Sequence, residues 1–397
     1  MSGGLTTWKI SPIRNKMAEY RRAQGNYFLQ GKPVIESKNG GKIYSLVTPP
    51  SGSRVARRRV RLILDNLSVQ PCTPDHTRNL PMARTPHVVT MAVTYNCQCN
   101  CLHCSAAHLQ EEVRNQQDAL SFDELRGAID QAVDLGSTCV VLTGGEPLLY
   151  GKIFDLIAAV DKSRSVCTIF TNGEYLTETA VAQLKKAGVF GVYVSLDRPS
   201  AARHDENRGR PGLFEQAVQG LEWCQIAGIP TGISTYATKE NLRNGELDAM
   251  MDLAKSLRVI EVFIFDVIPT GRLSGHRECV LDESEADALR EFRSKYRERS
   301  DYPGIIHQSM FSSIAYPCVA EGCPAGMVTA HVRANGDVCP CDFTPHAFGN
   351  IRERSLKDIW KTMTANDLYA KASARCRLSQ PAFWNKLDAL CSVKSSH

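Results

Sequence analysis

The residues best able to do chemistry in this chain are thiols. There are 15 cysteines, an odd number, and four of them fall in Cys97-Gln98-Cys99-Asn100-Cys101-Leu102-His103-Cys104. Four more lie between Cys318 and Cys341, and the other seven are scattered. The N-terminal Met-Ser-Gly-Gly-Leu-Thr-Thr-Trp-Lys lacks the apolar core of a secretory signal, so the expected location is the cytoplasm. Disulfides do not persist there, which leaves metal binding or catalysis as the leading explanation for so many thiols. Cys97, Cys101 and Cys104 are spaced three and then two residues apart. A loop with that spacing can wrap three thiolates around a 4Fe–4S cubane, a cluster that normally takes four. Three ligands leave one iron open to a substrate or cofactor, as in an open catalytic metal site. Cys99 reads as a bystander, since a fourth thiolate would close that iron, and His103 and His108 read as loop residues. Zinc is the rival, although only Cys101 and Cys104 form the Cys-x2-Cys pair that zinc usually takes.

The elements that must position this loop belong to a chain of 397 residues, 43% hydrophobic and 22% charged. That is close to the soluble globular average and excludes wholesale disorder, a collagen-like repeat and a small disulfide scaffold. At about 150 residues per domain, two or three domains are expected. No run approaches the roughly 18 apolar residues of a membrane helix. The first 90 residues carry 15 Lys and Arg against 4 Asp and Glu, while the rest of the chain carries 32 against 38. A basic arm on a mildly acidic body points to an acidic partner (a peptide, a nucleic acid or a phosphorylated small molecule) or to a solvated extension. No clear nucleic-acid module accompanies it.

In the N-terminal region, Lys32–Ser37 and Lys42–Val47 flank Asn39-Gly40-Gly41 and predict a hairpin. Arg54–Asn66 predicts a helix, and Pro71–Pro86 a linker. From Val88 onward strands and helices alternate, with strands expected at Val88–Thr94, Thr138–Leu142, Val166–Phe170, Val189–Leu196, Pro230–Ala237 and Ile260–Ile268. The clearest helix has Ser121 and Glu124 as a capping box, apolar Phe122, Leu125, Ile129 and Val133 on one face, and Gly136 as its stop. Repeated strand–helix units imply an α/β fold with a parallel sheet and right-handed crossovers. Periodicity alone does not decide between an open sheet and a barrel. A charged helix over Asp282–Arg299 leads to the cysteine-rich C-terminal segment, where Ala334-Asn335-Gly336-Asp337 signals a hairpin turn.

The cysteine loop at the end of the first strand resembles the signature of the radical S-adenosylmethionine (SAM) superfamily. Gly144-Gly145-Glu146 after the second strand is similar to that superfamily's motif for the SAM amino group. The resemblance implies a partial (β/α)6 TIM-type barrel. SAM would chelate the open iron, and one electron from the cluster would cleave it to methionine and a 5′-deoxyadenosyl radical that abstracts a substrate hydrogen atom. It also implies polar contacts to SAM from Ser195 and Asp197 after the fourth strand. Arg208 is a candidate partner for the SAM carboxylate, or else half of a surface ion pair. Pro269-Thr270-Gly271-Arg272 falls where barrel active sites open, or is a turn.

Cys323, twelve residues, Gly336, four residues and Cys341 resemble the opening motif of the SPASM and Twitch extensions, which bind auxiliary 4Fe–4S clusters. The resemblance implies one auxiliary cluster held by Cys318, Cys323, Cys341 and Cys376, with Cys339 and Cys391 as rivals and a zinc knuckle as the alternative. It divides the chain into a basic region (1–88) that could recognise substrate, a radical SAM core (89–280), a linking helix (281–310) and an auxiliary-cluster domain (311–397). The implied activity is radical SAM chemistry on a ribosomal peptide, or on a small molecule such as a tetrapyrrole, sugar, lipid or cofactor precursor. Redox-neutral epimerisation would need a thiol donor, for which Cys279 or Cys339 is a candidate. The implied electron donor is a flavodoxin or ferredoxin. A non-catalytic iron–sulfur or zinc protein is the rival of another class, and it would have no need of Gly144-Gly145-Glu146.

Overall fold

The computed structural model describes residues 35–36, 42–67, 85–107, 109, 118–310, 322–371 and 373–394. A short pair, β1 (Ile35–Glu36) and β2 (Lys42–Ile43), and helix α1 (Arg54–Leu67) precede the main sheet. Six strands then run parallel in chain order: β3 (Val88–Thr94), β4 (Cys139–Gly144), β5 (Val166–Thr171), β6 (Gly191–Ser195), β7 (Thr231–Ala237) and β8 (Glu261–Asp266). These are the six strands expected from the sequence, with Val88–Thr94 unchanged and no end of the others shifted by more than two residues. Helices α2 (Phe122–Leu135), α3 (Ile153–Ala159), α4 (Glu178–Ala187), α5 (Ala201–Arg208), α6 (Leu213–Ile226) and α7 (Glu246–Ser256) connect them. Apolar runs such as Val140-Val141-Leu142 are buried, as a parallel sheet covered by helices requires. At α2, the Ser121 hydroxyl accepts from Glu124 N (3.3 Å) and the Glu124 carboxylate accepts from Ser121 N (2.7 Å). Leu125, Ile129 and Val133 pack inward, and Gly136 stops the helix at φ 120°.

Three more strands extend the sheet. After helix α8 (Glu283–Arg297), β9 (Gly304–His307) adds to β8 in parallel. Four residues opening on a glycine gave the sequence no period to read. At the other edge, β10 (Thr329–Val332) and β11 (Val338–Cys339) form the hairpin expected around Gly336, whose φ is +94°. That hairpin is not a separate layer, because β10 pairs in parallel with β3, from Thr329–Val88 to Val332–Met91. The strand order is β11-β10-β3-β4-β5-β6-β7-β8-β9, with β11 and β9 at opposite edges, so the barrel is partial. Helices α9 (Leu356–Ala365) and α10 (Pro381–Lys394) complete the chain.

Of the expected N-terminal hairpin, the described residues pair Ile35 with Ile43 and Glu36 with Lys42, and the second strand ends at Ile43 rather than Val47. The chain then runs beneath the barrel, where Leu46 is fully buried. Leu46 N donates to Glu261 Oε1 (2.6 Å) and Leu46 O accepts from Thr168 Oγ1 (2.5 Å). A Cβ on Gly191 would sit 2.7 Å from Leu46 Cδ2, so glycine makes room for this plug. Arg58 on α1 donates to Val133 O, Ser137 O and Arg164 O (2.6, 2.9 and 2.9 Å). Part of the basic excess therefore satisfies carbonyls at the end of α2. The linker over Pro71–Pro86 lies almost wholly outside the described residues. No described helix is long and apolar enough to cross a membrane.

Candidate functional site

The cysteine loop leaves the end of β3, and three neighbouring turns fix its backbone. Gly145 N donates to Thr94 O (2.7 Å) and Glu146 N to Asn96 O (2.8 Å). Asn100 N and Leu102 N donate to Arg208 O (2.8 Å) and Asn207 O (3.1 Å) at the end of α5. From the turn after β8, Arg272 N donates to Cys104 O (3.0 Å) and Arg272 Nη1 to Cys101 O (2.9 Å). A Cβ on Gly144 would strike Thr94 O, one on Gly145 would strike Asn96 O, and one on Gly271 would strike Cys104 O. The glycines after β4 and β8 are there because backbone passes against backbone.

Glu146 is fully buried behind this turn. Its carboxylate accepts from Leu148 N (3.0 Å), Thr171 Oγ1 (2.7 Å) and Asn172 N (2.8 Å), tying the β4 turn to the end of β5. Burial pushes its pKa up to about 7 in spite of those donors. The cavity wall here is Gly144 and Gly145, and Glu146 is not part of it. Ser195 does line the cavity, with its hydroxyl 3.1 Å from that of Ser234.

Arg208 forms neither a surface pair nor an unpaired cation. Its Nε and Nη2 donate to the two Asp197 oxygens, each at 2.7 Å, and Asn207 Nδ2 adds a third bond at 2.8 Å. The side chains are only 8% and 3% exposed. Burial works to raise the Asp197 carboxyl, but Arg208 and then His103 outweigh it and hold it well below the usual range. Asp197 is thus occupied in setting Arg208, which lines the cavity.

The second group of thiols comes from three segments. Cys323 precedes β10, Cys341 follows β11 and Cys376 lies between α9 and α10. The Cys323 and Cys376 thiols are in hydrogen-bonding contact, which lowers Cys323 and raises Cys376. Burial pushes Cys341 up to about 12, and its sulfur lies 3.2 Å from Thr344 Oγ1. Cys318 lies outside the described residues, as do His108 and the side chain of Cys391. Cys339 is fully buried in β11, and neither it nor Cys279 lines the cavity.

A single cavity of about 260 Å³ joins the two groups, lined by Cys97, Cys101 and Cys104 and by Cys323, Cys341 and Cys376. Phe170, Tyr236, Phe263, Phe265 and Phe343 make much of the wall between. Thr90, His331 and Asp342 also face it, and sequence reasoning missed them. Thr90 Oγ1 donates to Asp342 Oδ1 (2.5 Å), and His331 Nδ1 is 2.8 Å from Thr90 Oγ1 and 3.2 Å from Asp342 Oδ1. The available signal was Asp342 directly after Cys341 and the histidine in Thr329-Ala330-His331-Val332. The described cysteines are free thiols. Among the described residues, no three His, Cys, Asp or Glu side chains are arranged to hold a single metal ion. All-thiol sets on a cavity wall are the donors that iron–sulfur cubanes take.

Residues 91–269 match the radical SAM superfamily model, and residues 323–380 match SPASM, an iron–sulfur cluster-binding domain. The AdoMet-dependent heme synthase of Methanosarcina barkeri is 29% identical over 300 residues, covering 71% of this chain and 84% of the relative. The PqqA peptide cyclase of Rhizobium meliloti is 27% identical over 298 residues, covering 74% and 78%. Among solved structures, Streptococcus suis SuiB bound to precursor peptide SuiA superposes with a TM-score of 0.58 at 18% identity, covering 79% of this chain and 70% of that one. That last likeness is one of fold alone. The chain thus carries a radical SAM domain followed by a SPASM iron–sulfur cluster-binding domain, each over one of the two thiol-bearing regions, and these domains imply an enzyme that uses SAM, a 4Fe–4S cluster and auxiliary iron–sulfur ligation.

Proposed function

We propose that this enzyme abstracts a hydrogen atom from a flat, largely apolar substrate of the tetrapyrrole class, held between a catalytic and one auxiliary 4Fe–4S cluster. The observation that carries this reading is the single cavity with three thiols at each site. Cys97, Cys101 and Cys104 would hold the catalytic cluster, and Cys323, Cys341 and Cys376 with Cys318 the auxiliary one. When bound, the reduced catalytic cluster and SAM supply one-electron cleavage of SAM and hydrogen-atom abstraction, and the auxiliary cluster supplies electron exchange.

The chain's own part is positioning and seclusion. Gly144 and Gly145 leave the cavity wall low beside the thiol loop, where side chains would obstruct SAM. Arg208, oriented by Asp197, presents its remaining Nη1 donors to a carboxylate, and the Ser195 and Ser234 hydroxyls suit a ribose. Phe263 and Phe265 stack at 4.4 Å between centroids and Phe343 meets Phe265 at 5.9 Å, a surface that favours a flat ring system and excludes water. Thr90, His331 and Asp342 give the polar edge of the substrate its only cluster of charge-capable partners on that part of the wall among the described residues. The likeness to a heme synthase over most of that relative's length supports the same class.

A ribosomal peptide is the second reading, favoured by the 15-to-4 basic excess of the first 90 residues and by the likeness to a peptide cyclase. On either reading the working parts are residues 1–88, 89–280, 281–310 and 311–397, with a flavodoxin or ferredoxin as electron donor in the cytoplasm. The test is anaerobic reconstitution with iron, sulfide, SAM and dithionite. 5′-Deoxyadenosine should form, and iron coproporphyrin III should shift its absorbance on titration into the enzyme. No shift, with 5′-deoxyadenosine formation intact, would overturn the tetrapyrrole assignment and leave the peptide.

A further inference from the structure

One ring nitrogen on the cavity wall is held in place yet has no partner. His331 and Thr90 are register partners in the β10–β3 ladder, so their side chains leave the sheet on the same face. That face is the cavity side, to which Val88, Thr90 and Ala92 of β3 and Thr329 and His331 of β10 contribute. The His331 side chain is only 7% exposed. Its Nδ1 lies 2.8 Å from Thr90 Oγ1 and 3.2 Å from Asp342 Oδ1. Thr90 spends its hydroxyl hydrogen on Asp342 Oδ1 (2.5 Å), so toward the ring its oxygen can only accept. These contacts place the imidazole hydrogen on Nδ1 and leave a lone pair at Nε2. Among the described residues Nε2 has no hydrogen-bond partner. An unused acceptor in so apolar a place costs free energy that a ligand would recover.

We propose that His331 Nε2 is an axial ligand to the central iron of the tetrapyrrole substrate. The proposal rests on the tetrapyrrole reading above and gives the substrate's iron its protein partner. Histidine binds metals as a neutral imidazole, and haem iron commonly takes one. A metal-bound histidine almost always donates its other ring N–H to a carboxylate or another acceptor, which fixes the ring and makes the ligating nitrogen more basic. Thr90 and Asp342 already provide that backing at Nδ1. Ligation moves no proton and no electron, because the lone pair is present before the substrate arrives. It also supplies what the phenyl rings do not. Apolar contact is non-directional, so a flat guest could slide or turn on it. A bond from β10 to the iron fixes the centre of the macrocycle and so limits which of its substituents reach the thiol loop.

The experiment compares the full-length wild type, H331A and H331Q, each reconstituted anaerobically with its clusters left oxidised. Ferric iron coproporphyrin III and metal-free coproporphyrin III are titrated separately, with the Soret band and the EPR of the ferric iron as readouts. The wild type should bind the iron form more tightly than the metal-free form and give it the spectrum of an imidazole-ligated haem. In both variants that spectrum should be lost and the affinity for the iron form should fall to that for the metal-free form, which stays as in the wild type. Free imidazole should restore the spectrum in H331A. An iron spectrum that is the same in the wild type and both variants would overturn the proposal. So would wild-type binding without imidazole ligation, a result that leaves the tetrapyrrole reading standing. Binding of neither porphyrin by the wild type, with 5′-deoxyadenosine formation intact, would instead bring down that reading.

Discussion

The two thiol groups face one cavity but are assembled in opposite ways. Cys97, Cys101 and Cys104 sit within eight consecutive residues, so their spacing is nearly fixed before the rest of the chain folds. What the fold adds is a backbone clamp from the turns after β4, α5 and β8. Cys323, Cys341 and Cys376 come from three segments, and only the β10–β11 hairpin and the packing around α9 bring them together. The first group is a local motif made rigid, while the second does not exist until the tertiary structure does.

The largest contrast comes from removing one thiol of each kind. Cys101→Ala should bring 5′-deoxyadenosine formation to background and halve the iron content. Cys341→Ala should also remove about four irons per chain, yet leave SAM cleavage measurable while substrate turnover fails. Equal loss of SAM cleavage in both variants would erase the distinction.

Next in size is the pair that braces the thiol loop from α5. Arg208→Met strands Asp197 as an unpaired buried carboxylate, for which about 3–5 kcal/mol is expected. Chemical denaturation should show a clearly lowered midpoint. Arg126→Met, which breaks an exposed pair with Asp123 (52% and 80% exposed), should change stability by less than about 1 kcal/mol. Comparable losses in the two variants would mean that the Arg208 pair braces nothing.

A smaller effect concerns the barrel floor beneath both groups. Burial pushes the Glu261 pKa up from 4.5 to about 7. The folded state then binds more protons than the unfolded one across that interval, so stability falls as pH rises from about 4.5 to about 7 and levels off above it. The total is of order 3 kcal/mol. Glu261→Gln should flatten the pH dependence of the thermal midpoint between pH 5 and 8, with both iron contents unchanged. A pH slope identical to wild type would show that Glu261 is ionised in the folded protein at no cost.

The smallest structural test divides the basic N-terminal region. Residues from Lys42 to Leu67 plug and brace the barrel through Leu46 and Arg58. Deletion of residues 1–41 should leave the thermal midpoint near the wild-type value, whereas deletion of 1–67 should abolish cooperative unfolding. A cooperative transition in the longer deletion would show the plug to be dispensable.

What could be read from the sequence follows the same division. The thiol loop, the capping box at Ser121 and six apolar strands are local patterns, and each is present in the structure. Gly144 and Gly145 were legible as a turn, but not as the place where the thiol loop's own backbone crosses. Arg208 and Asp197 sit in a polar stretch with no apolar period, so nothing along the chain announces a buried bidentate pair. Leu46 looks like any strand residue until the barrel exists for it to fill. His331 becomes part of the cavity wall only because β10 joins β3, and a four-residue strand has no pattern strong enough to foretell its neighbour.

That junction has a further consequence. The four-residue parallel ladder between β10 and β3 roots the sulfur groups at its two ends, with Cys323 entering before β10 and the Cys97 loop leaving after β3. A module on a hinge could swing to suit guests of different thickness. Here the sheet itself acts as a caliper with its jaws set, so a guest is accepted or refused by how well its dimensions match a gap that the backbone has already measured.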